Sequence, residues 1–481
     1  MASSLSNVLD SFLSSEAVDL DEPEPPPPTR RPPAPTFEDD EDLATPLSMN
    51  STGSTSGVTR VSRSTSSTVQ ALLAGGGSVQ TDTRRVLRVA PQTVKLLGTS
   101  IEGTITSCVL RTLVASISAS DLDGFIAASS VVNRTGNTLG ELSVCAVVSL
   151  GEAATKASVS VGDYLLVRRA ALATNTDTPS QPGCLATHVL VPDLPSSLAE
   201  GTVVPLPAWA QPEEALIAAD ELSSALHAAA SVGGATTLSS SVKPCYAVLG
   251  CGPIGCLSVV ALRHLYGPDV AIVCADDVEA RRALALGYGA TEALPFHKRE
   301  GEEGYPDFFT LSSRVRGKLT GCCGVIVAES GVSPSGHAVS FEMLVAAARL
   351  VEDGGKICIT GALINETKED NKLNTLPTLE PIECFQRNLT LSFGRGDHDT
   401  SLLKTAFEVL RAKPNPKALN ASVVKIITHR LPLEAAQRAF ELMSARATSA
   451  EAEGCMKAVM SVDPTANKLV ERGGSFGGGL D

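Results

Sequence analysis

The stretch Tyr246-Ala-Val-Leu-Gly-Cys-Gly-Pro-Ile-Gly255 constrains this chain more than any other. A short apolar run ends in three glycines spaced Gly-x-Gly-x-x-Gly, and an apolar-periodic run from Cys256 to Leu265 follows. That is the pattern of a strand turning sharply into a helix. Gly250 permits the tight turn, Gly252 lets backbone approach a pyrophosphate, and Gly255 lets the helix pack on the strand. An anion so placed meets the free amides and the positive dipole end of the helix. The next apolar run ends in Val273-Cys-Ala-Asp-Asp277, with Asp276 lying 21 residues beyond Gly255. A carboxylate there accepts both ribose hydroxyls of NAD and repels the extra phosphate of NADP, so NAD(H) is expected ahead of NADP(H). Asp277 is the fallback acid if the register slips by one.

Strands and helices alternate around this loop. Ala247 to Gly250, Val270 to Cys274, Gly324 to Ala328 and Lys356 to Thr360 read as strands, separated by helical runs to Leu265, from Val278 to Leu286 and from Ser340 to Leu350. The repeated βα punctuation predicts an α/β fold with a doubly wound parallel sheet. From Val69 to about Leu206 the pattern is all-β instead, with short runs such as Val69–Leu73, Leu110–Ser116, Val144–Leu150 and Tyr164–Val167 between Gly, Ser and Asp turns. Near Pro212 the period turns helical through Ala230.

The ends have another composition. Residues 1–68 hold an acidic proline tract at Asp21–Pro28, the acidic run Glu38–Asp42 and a Ser/Thr-rich stretch, which predicts a disordered tail. Within it Leu5, Val8, Leu9, Phe12 and Leu13 recur at the spacing of one helical face, the layout of a short helix that docks on a protein partner. Residues 465–481 are expected to be a second, glycine-rich tail. The net charge of -14 argues against a nucleic-acid partner. No apolar run reaches bilayer-spanning length and no signal peptide is recognisable. The 12 cysteines show no paired Cys-x-x-Cys sets, so buried thiols in a reducing, cytoplasmic setting are expected.

Several motifs together resemble the medium-chain dehydrogenase/reductase superfamily, in its zinc alcohol and polyol dehydrogenase branch. These are Gly-Cys-Gly-Pro-Ile-Gly at 250–255, Arg281–Thr291, Glu329-Ser-Gly331, Val351–Gly361, and Thr428–Leu433 followed by Ala435–Phe440. The resemblance implies a GroES-like β domain over 69–210, a Rossmann domain over 211–395 and a return to the β domain over 396–464, with the active site between the lobes. It adds Pro253, Ile254, Glu329 and Gly361 to the cofactor-binding set. A homo-oligomer is a family-level expectation.

The same resemblance shows what this chain lacks. The cysteine of the family's Gly-Ile-Cys-Gly-Ser-Asp motif, a zinc ligand, is matched by Ser118 in Ser116-Ile-Ser-Ala-Ser-Asp121. The Gly-His-Glu histidine ligand is matched by Glu141, the third ligand position by Asp220 and the relay histidine by Asp123. The four-cysteine lobe is reduced to Cys184. Zinc wants thiolate, imidazole or carboxylate ligands, so a metal is not expected here. That loss is large: a zinc ion brings a bound water from pKa ~15.7 to ~7, which for an alkoxide is on the order of 10 kcal/mol.

Two readings follow. One is a zinc-independent NAD(H) oxidoreductase acting on a small alcohol or carbonyl compound, with Ser118 and Ser120 as donors and Glu141, Asp220 or Asp123 as acid or base. The other is an inactive dehydrogenase-fold protein, a nucleotide-sensing or structural subunit of a complex. A Tyr-x-x-x-Lys pair beyond the glycine loop, as short-chain dehydrogenases need, is absent.

Overall fold

The structure, a computed structural model, describes residues 59–60, 79–90, 92–103, 106–118, 121–122, 125, 139–152, 154–156, 158–172, 183–233, 244–296, 321–328, 339–360, 381–394, 396, 399–412, 422–444 and 455–462. Apart from Thr59–Arg60, which forms a strand within the expected N-terminal tail, both expected tails, the Leu5–Leu13 helix and the Val69–Leu73 strand lie outside these residues. So do Ser120, Asp123, Glu329 and Gly361.

The first lobe is mostly antiparallel. Strands β1 (Thr59–Arg60), β2 (Val79–Ala90) and β3 (Thr93–Gly103) form one small sheet, in which β1 runs parallel to β2. The β2–β3 hairpin is longer than the short strands expected from the sequence, and it turns at Gln92, whose φ of 52° lies in the left-handed region. The main sheet contains β4 (Cys108–Ser116), β5 (Leu142–Leu150), β6 (Tyr164–Arg168) and β8 (Val203–Pro205), with β7 (His188–Val191) paired to β4. A short helix α1 (Leu194–Ala199) is capped by Asp193.

The second lobe is a parallel sheet in the order β11-β10-β9-β12-β13-β14. Its strands are β9 (Cys245–Leu249), β10 (Ala271–Ala275), β11 (Glu292–Leu294), β12 (Cys322–Val327), β13 (Val351–Ile359) and β14 (Thr390–Phe393). Strands β9 and β12 and the end of β13, Ile357–Ile359, read as almost unbroken apolar runs because helices cover both faces. The sequence put Cys322 and Cys323 ahead of a strand, and the structure makes them its first two residues.

The lobes are joined by one long helical run. Helix α2 (Pro212–Ile217) packs on β4 and β5, and helix α3 (Ser223–Val232) packs on β12 and β13. Between them Ala218–Leu222 forms a π turn. The largest apolar cluster therefore crosses the boundary, with Leu113, Val114 and Val144 of the β lobe against Leu216, Leu222 and Leu226 of this run.

The remaining helices are α4 (Pro253–Tyr266), α5 (Glu279–Gly287), α6 (Val339–Leu350), α7 (Pro381–Gln386), α8 (Thr400–Arg411) and α9 (Ala436–Ser444). The chain then returns to the β lobe through β15 (Ile427–Pro432) and β16 (Lys457–Ser461), which extend the main sheet beside β4. Phe125 stacks on Phe440 at 5.0 Å to seal this return. Among the described residues no helix is long and apolar enough to cross a membrane. All 12 cysteines are free thiols, and only Cys245 and Cys384 are not fully buried.

Candidate active site

The parallel sheet runs one way from β9 through β10 to β11 and the other way through β12 to β14. Its order thus reverses beside β9, and in such sheets the crevice at that point is where ligands bind. The glycine loop sits there, at the carboxyl end of β9. Gly250 has φ of 89°, which bends the chain without steric cost. Gly255 has no room for a side chain, since an added Cβ would lie 1.8 Å from the carbonyl oxygen of Gly250. At Gly252, the N-cap of α4, an added Cβ would meet nothing within 4 Å. That glycine faces open space at the head of a helix. Pro253 occupies the first helical position, where its fixed φ suits the helix and its missing N–H costs nothing.

Asp276 closes the loop from below. It is 3% exposed. Its Oδ2 accepts from the backbone N–H of Cys251 at 2.7 Å and its Oδ1 from that of Val278 at 2.8 Å. Arg281 stands 3.8 Å from the same carboxylate. Burial pushes this carboxyl upward, while Arg281 and the two amides pull it down. The acid therefore holds the glycine loop to the end of β10 and the head of α5. Asp277, half-buried, is its neighbour on the solvent side.

The β-lobe candidates form a linked chain of contacts. Ser118 donates its hydroxyl to Asp121 Oδ2 at 2.9 Å, and that oxygen also accepts from the Ser118 amide at 3.0 Å. Asp121 Oδ1 accepts from the Gly140 amide at 2.8 Å. Burial pushes the Asp121 carboxyl up, against the hydrogen bonds it accepts. Next to Gly140, Glu141 is paired to Arg169 at 3.0 Å. Ser118 and Glu141 are thus brought into one neighbourhood, joined through Asp121, and each is already committed to a partner.

Asp220 lies in the π turn beside Glu221, and helix α4 packs against the same turn. Both carboxylates face Lys457, the first residue of β16. Its ammonium is 3.5 Å from Asp220 Oδ2 and 3.5 Å from the carbonyl oxygen of Ile117, and it is ion-paired with Glu221 Oε1. Lys457 is 3% exposed and Glu221 5%, and Glu221 Oε2 is a buried atom with no hydrogen-bond partner. Burial and the Asp220 charge push the Glu221 carboxyl up to about 7, although Lys457 pulls it down. Burial disfavours the Lys457 ammonium, yet Glu221 and Asp220 outweigh it and leave its pKa raised.

The sequence reading missed Glu221, Lys457 and Asp121. The π turn is the local reason that two adjacent acids share a partner: it adds a residue to the turn and alters the phase of the helix. An Asp-Glu pair within the apolar helical stretch Ala215–Leu226 is the available signal, since a carboxylate buried there needs a cation.

The described groups fit a pyrophosphate at the glycine loop better than they fit a metal in the β lobe. The open face of Gly252 above a capped loop fits a pyrophosphate. Zinc finds no fitting donor set among the described residues: the Ser118 hydroxyl is spent on Asp121, Glu141 on Arg169, and Asp220 and Glu221 on Lys457. Among the described residues no cluster of three or more His, Cys, Asp or Glu side chains could hold a metal ion.

No family model matches the chain, and no curated protein matches it. Solved structures do. L-Idonate 5-dehydrogenase from Escherichia coli K-12 is similar with a TM-score of 0.57 at 15% identity, over 80% of this chain and 99% of its own. An alcohol dehydrogenase from Thermus sp. ATN1 has a TM-score of 0.55 at 21% identity, over 79% of this chain and 100% of its own. An alcohol dehydrogenase from Escherichia coli CFT073, in complex with NADH, has a TM-score of 0.54 at 15% identity, over 79% of this chain and 99% of its own. The chain has the fold of the medium-chain, zinc-type alcohol and polyol dehydrogenases.

Proposed function

We propose that the protein is an NAD(H)-dependent oxidoreductase of the medium-chain type that works without zinc on a small alcohol or carbonyl compound. The observation that carries this reading is the open face of Gly252 at the head of α4, at the switch point of the sheet, above an acid tied to the same loop. The NADH complex of a similar structure supports it.

A nicotinamide nucleotide bound here would give or accept the hydride. The chain's own part begins with binding. The free amides and dipole of α4 take the pyrophosphate. Asp276, buried and bound to two backbone amides, shapes the loop, and the half-buried Asp277 beside it offers a carboxylate to ribose hydroxyls. With no metal to stabilise an alkoxide, the substrate oxygen must receive a proton as hydride arrives. Glu221 keeps its proton to about pH 7 and has one buried oxygen free, so it is the acid energetically best suited to give one. Such a site favours an electrophile that needs only a proton or a hydrogen bond, such as a conjugated carbonyl compound.

A second reading, a nucleotide-binding subunit without turnover, is favoured by one observation: Ser118, Glu141 and Asp220 all have partners within the protein. Parallel calorimetric titration with NADH and NADPH, followed by a turnover screen of aldehydes, ketones and enones, decides. Saturable NADH binding with turnover of any carbonyl supports the enzyme, and binding with none supports the subunit. Binding of neither nucleotide refutes both.

A further inference from the structure

The similarity in fold raises the question of what has become of the metal's place. The resemblance assigns ligand positions to Ser118, Glu141 and Asp220; Glu141 is taken by Arg169, and Ser118 and Asp220 lie one on each side of the lobe boundary. The structure sets a third group between these segments. Lys457 Nζ lies 3.5 Å from Asp220 Oδ2 and 3.5 Å from the carbonyl of Ile117, the residue before Ser118. Three acceptors, Ile117 O, Asp220 Oδ2 and Glu221 Oε1, meet the three N–H donors of the ammonium. Three separate segments supply this arrangement: the end of β4, the π turn and the first residue of β16.

We propose that Lys457 is a built-in cation standing where the resemblance places the metal, so that a divalent ion can bind only if the ammonium is removed. This deepens the zinc-independent reading above but rests on the lysine's geometry and needs no nucleotide. Two carboxylates and a carbonyl oxygen remain at the site as metal-compatible groups, and the ammonium uses all of them. The serine at position 118 removes the thiolate that would have competed for the place. A retained ammonium and a lost thiolate are thus two halves of one exchange, a fixed monovalent charge for an exchangeable divalent one. Chemically, the protein gives up a Lewis acid and keeps a charge that cannot be chelated away.

The test is cobalt(II) and zinc(II) binding to the full chain without nucleotide, read by visible absorption and by competition with a chromophoric chelator. Wild type and Ser118→Cys should take up no stoichiometric metal. Ser118→Cys with Lys457→Ala should bind cobalt about 100-fold more tightly than Ser118→Cys alone, with a thiolate-to-cobalt charge-transfer band. Stoichiometric metal on wild type overturns the proposal. Equal binding by the single and double variants, or none by a folded double variant, overturns it as well.

Should the double variant fail to fold, denaturation at pH 8 takes its place. Lys457→Met should lower the folding equilibrium constant by about 100-fold, and adding Glu221→Gln should restore much of it. No loss on Lys457→Met, or no recovery with Glu221→Gln, contradicts the proposal. Failure of NADH to bind would sink the oxidoreductase reading and leave these outcomes unaffected.

Discussion

Glu221→Gln isolates the proton that the buried cluster holds. Facing Glu221 are Asp220 from its own turn and Lys457 from β16, with Arg168 of β6 donating to the Ala219 carbonyl in the same turn. One ammonium cannot neutralise both the buried Glu221 and the half-buried Asp220 beside it, so burial and Asp220 lift the Glu221 carboxyl from 4.5 to about 7. Between those values the folded protein keeps a proton that the unfolded chain has lost. Folding then takes up a proton, so stability falls as pH rises through that window and levels off above it. The full term is on the order of 3 kcal/mol at ~1.36 kcal/mol per unit, of which roughly 2 kcal/mol falls between pH 5.5 and 8. Glutamine cannot ionise, and its carbonyl still accepts from Lys457. Urea denaturation of both proteins at several pH values removes the contribution of all other groups by difference. The stability of Glu221→Gln relative to wild type should rise by about 2 kcal/mol from pH 5.5 to 8. A difference that stays constant with pH would refute the argument that Glu221 holds this proton.

The glycine loop gives a paired test. Gly255→Ala should lose several kcal/mol, because the new Cβ meets backbone that no rotamer change can move. Gly252→Ala should fold within about 0.5 kcal/mol of wild type, since its φ of -64° suits alanine and the space is open, yet NADH affinity measured by calorimetry should fall. Asp276→Asn can accept from only one of the two amides that the carboxylate now serves, and should lose about 1–3 kcal/mol in urea titration even without nucleotide. Arg430→Ala, which breaks the two 2.7 Å contacts to Glu213, should cost no more than about 1 kcal/mol in the same assay because the arginine is exposed.

The parts of the fold legible in sequence are those whose signal is local. Gly250, Gly252 and Gly255 act within six residues of one another, and strand-then-helix periodicity marks their place. β4, β5 and β6 are visible because their apolar residues face a core a few ångströms away on both sides. The Lys457 cluster has no such signal. Lys457 lies 237 residues from Asp220 and 340 from Ile117, and a single lysine in a strand has no spacing to read. Glu221 was hidden by helical phase. In an α-helix adjacent residues point about 100° apart, so Asp220 and Glu221 would not be expected to meet one partner, and the π turn that brings them together leaves no clear mark in composition. Ser118 reads as a free donor in sequence because its partner Asp121 reads only as part of a motif. The Ser-x-x-Asp spacing was itself a hint, being the separation at which such side chains cap a turn.

The position of β16 also sets the order in which the molecule can be made. β4 leaves the ribosome early, but the strand that covers its edge follows some 340 residues later, and Lys457 arrives with it. At 5–20 residues per second that is a wait of roughly 20–70 s. Through that time the nascent β lobe has an open sheet edge, and for the last 237 residues of it Asp220 lacks its cation, as does Glu221 beside it. Two unneutralised acids resist burial and keep the half-made interior wet. The last of the described strands therefore acts as a latch: it covers the edge of β4 and supplies the charge to Asp220 and Glu221 in one step.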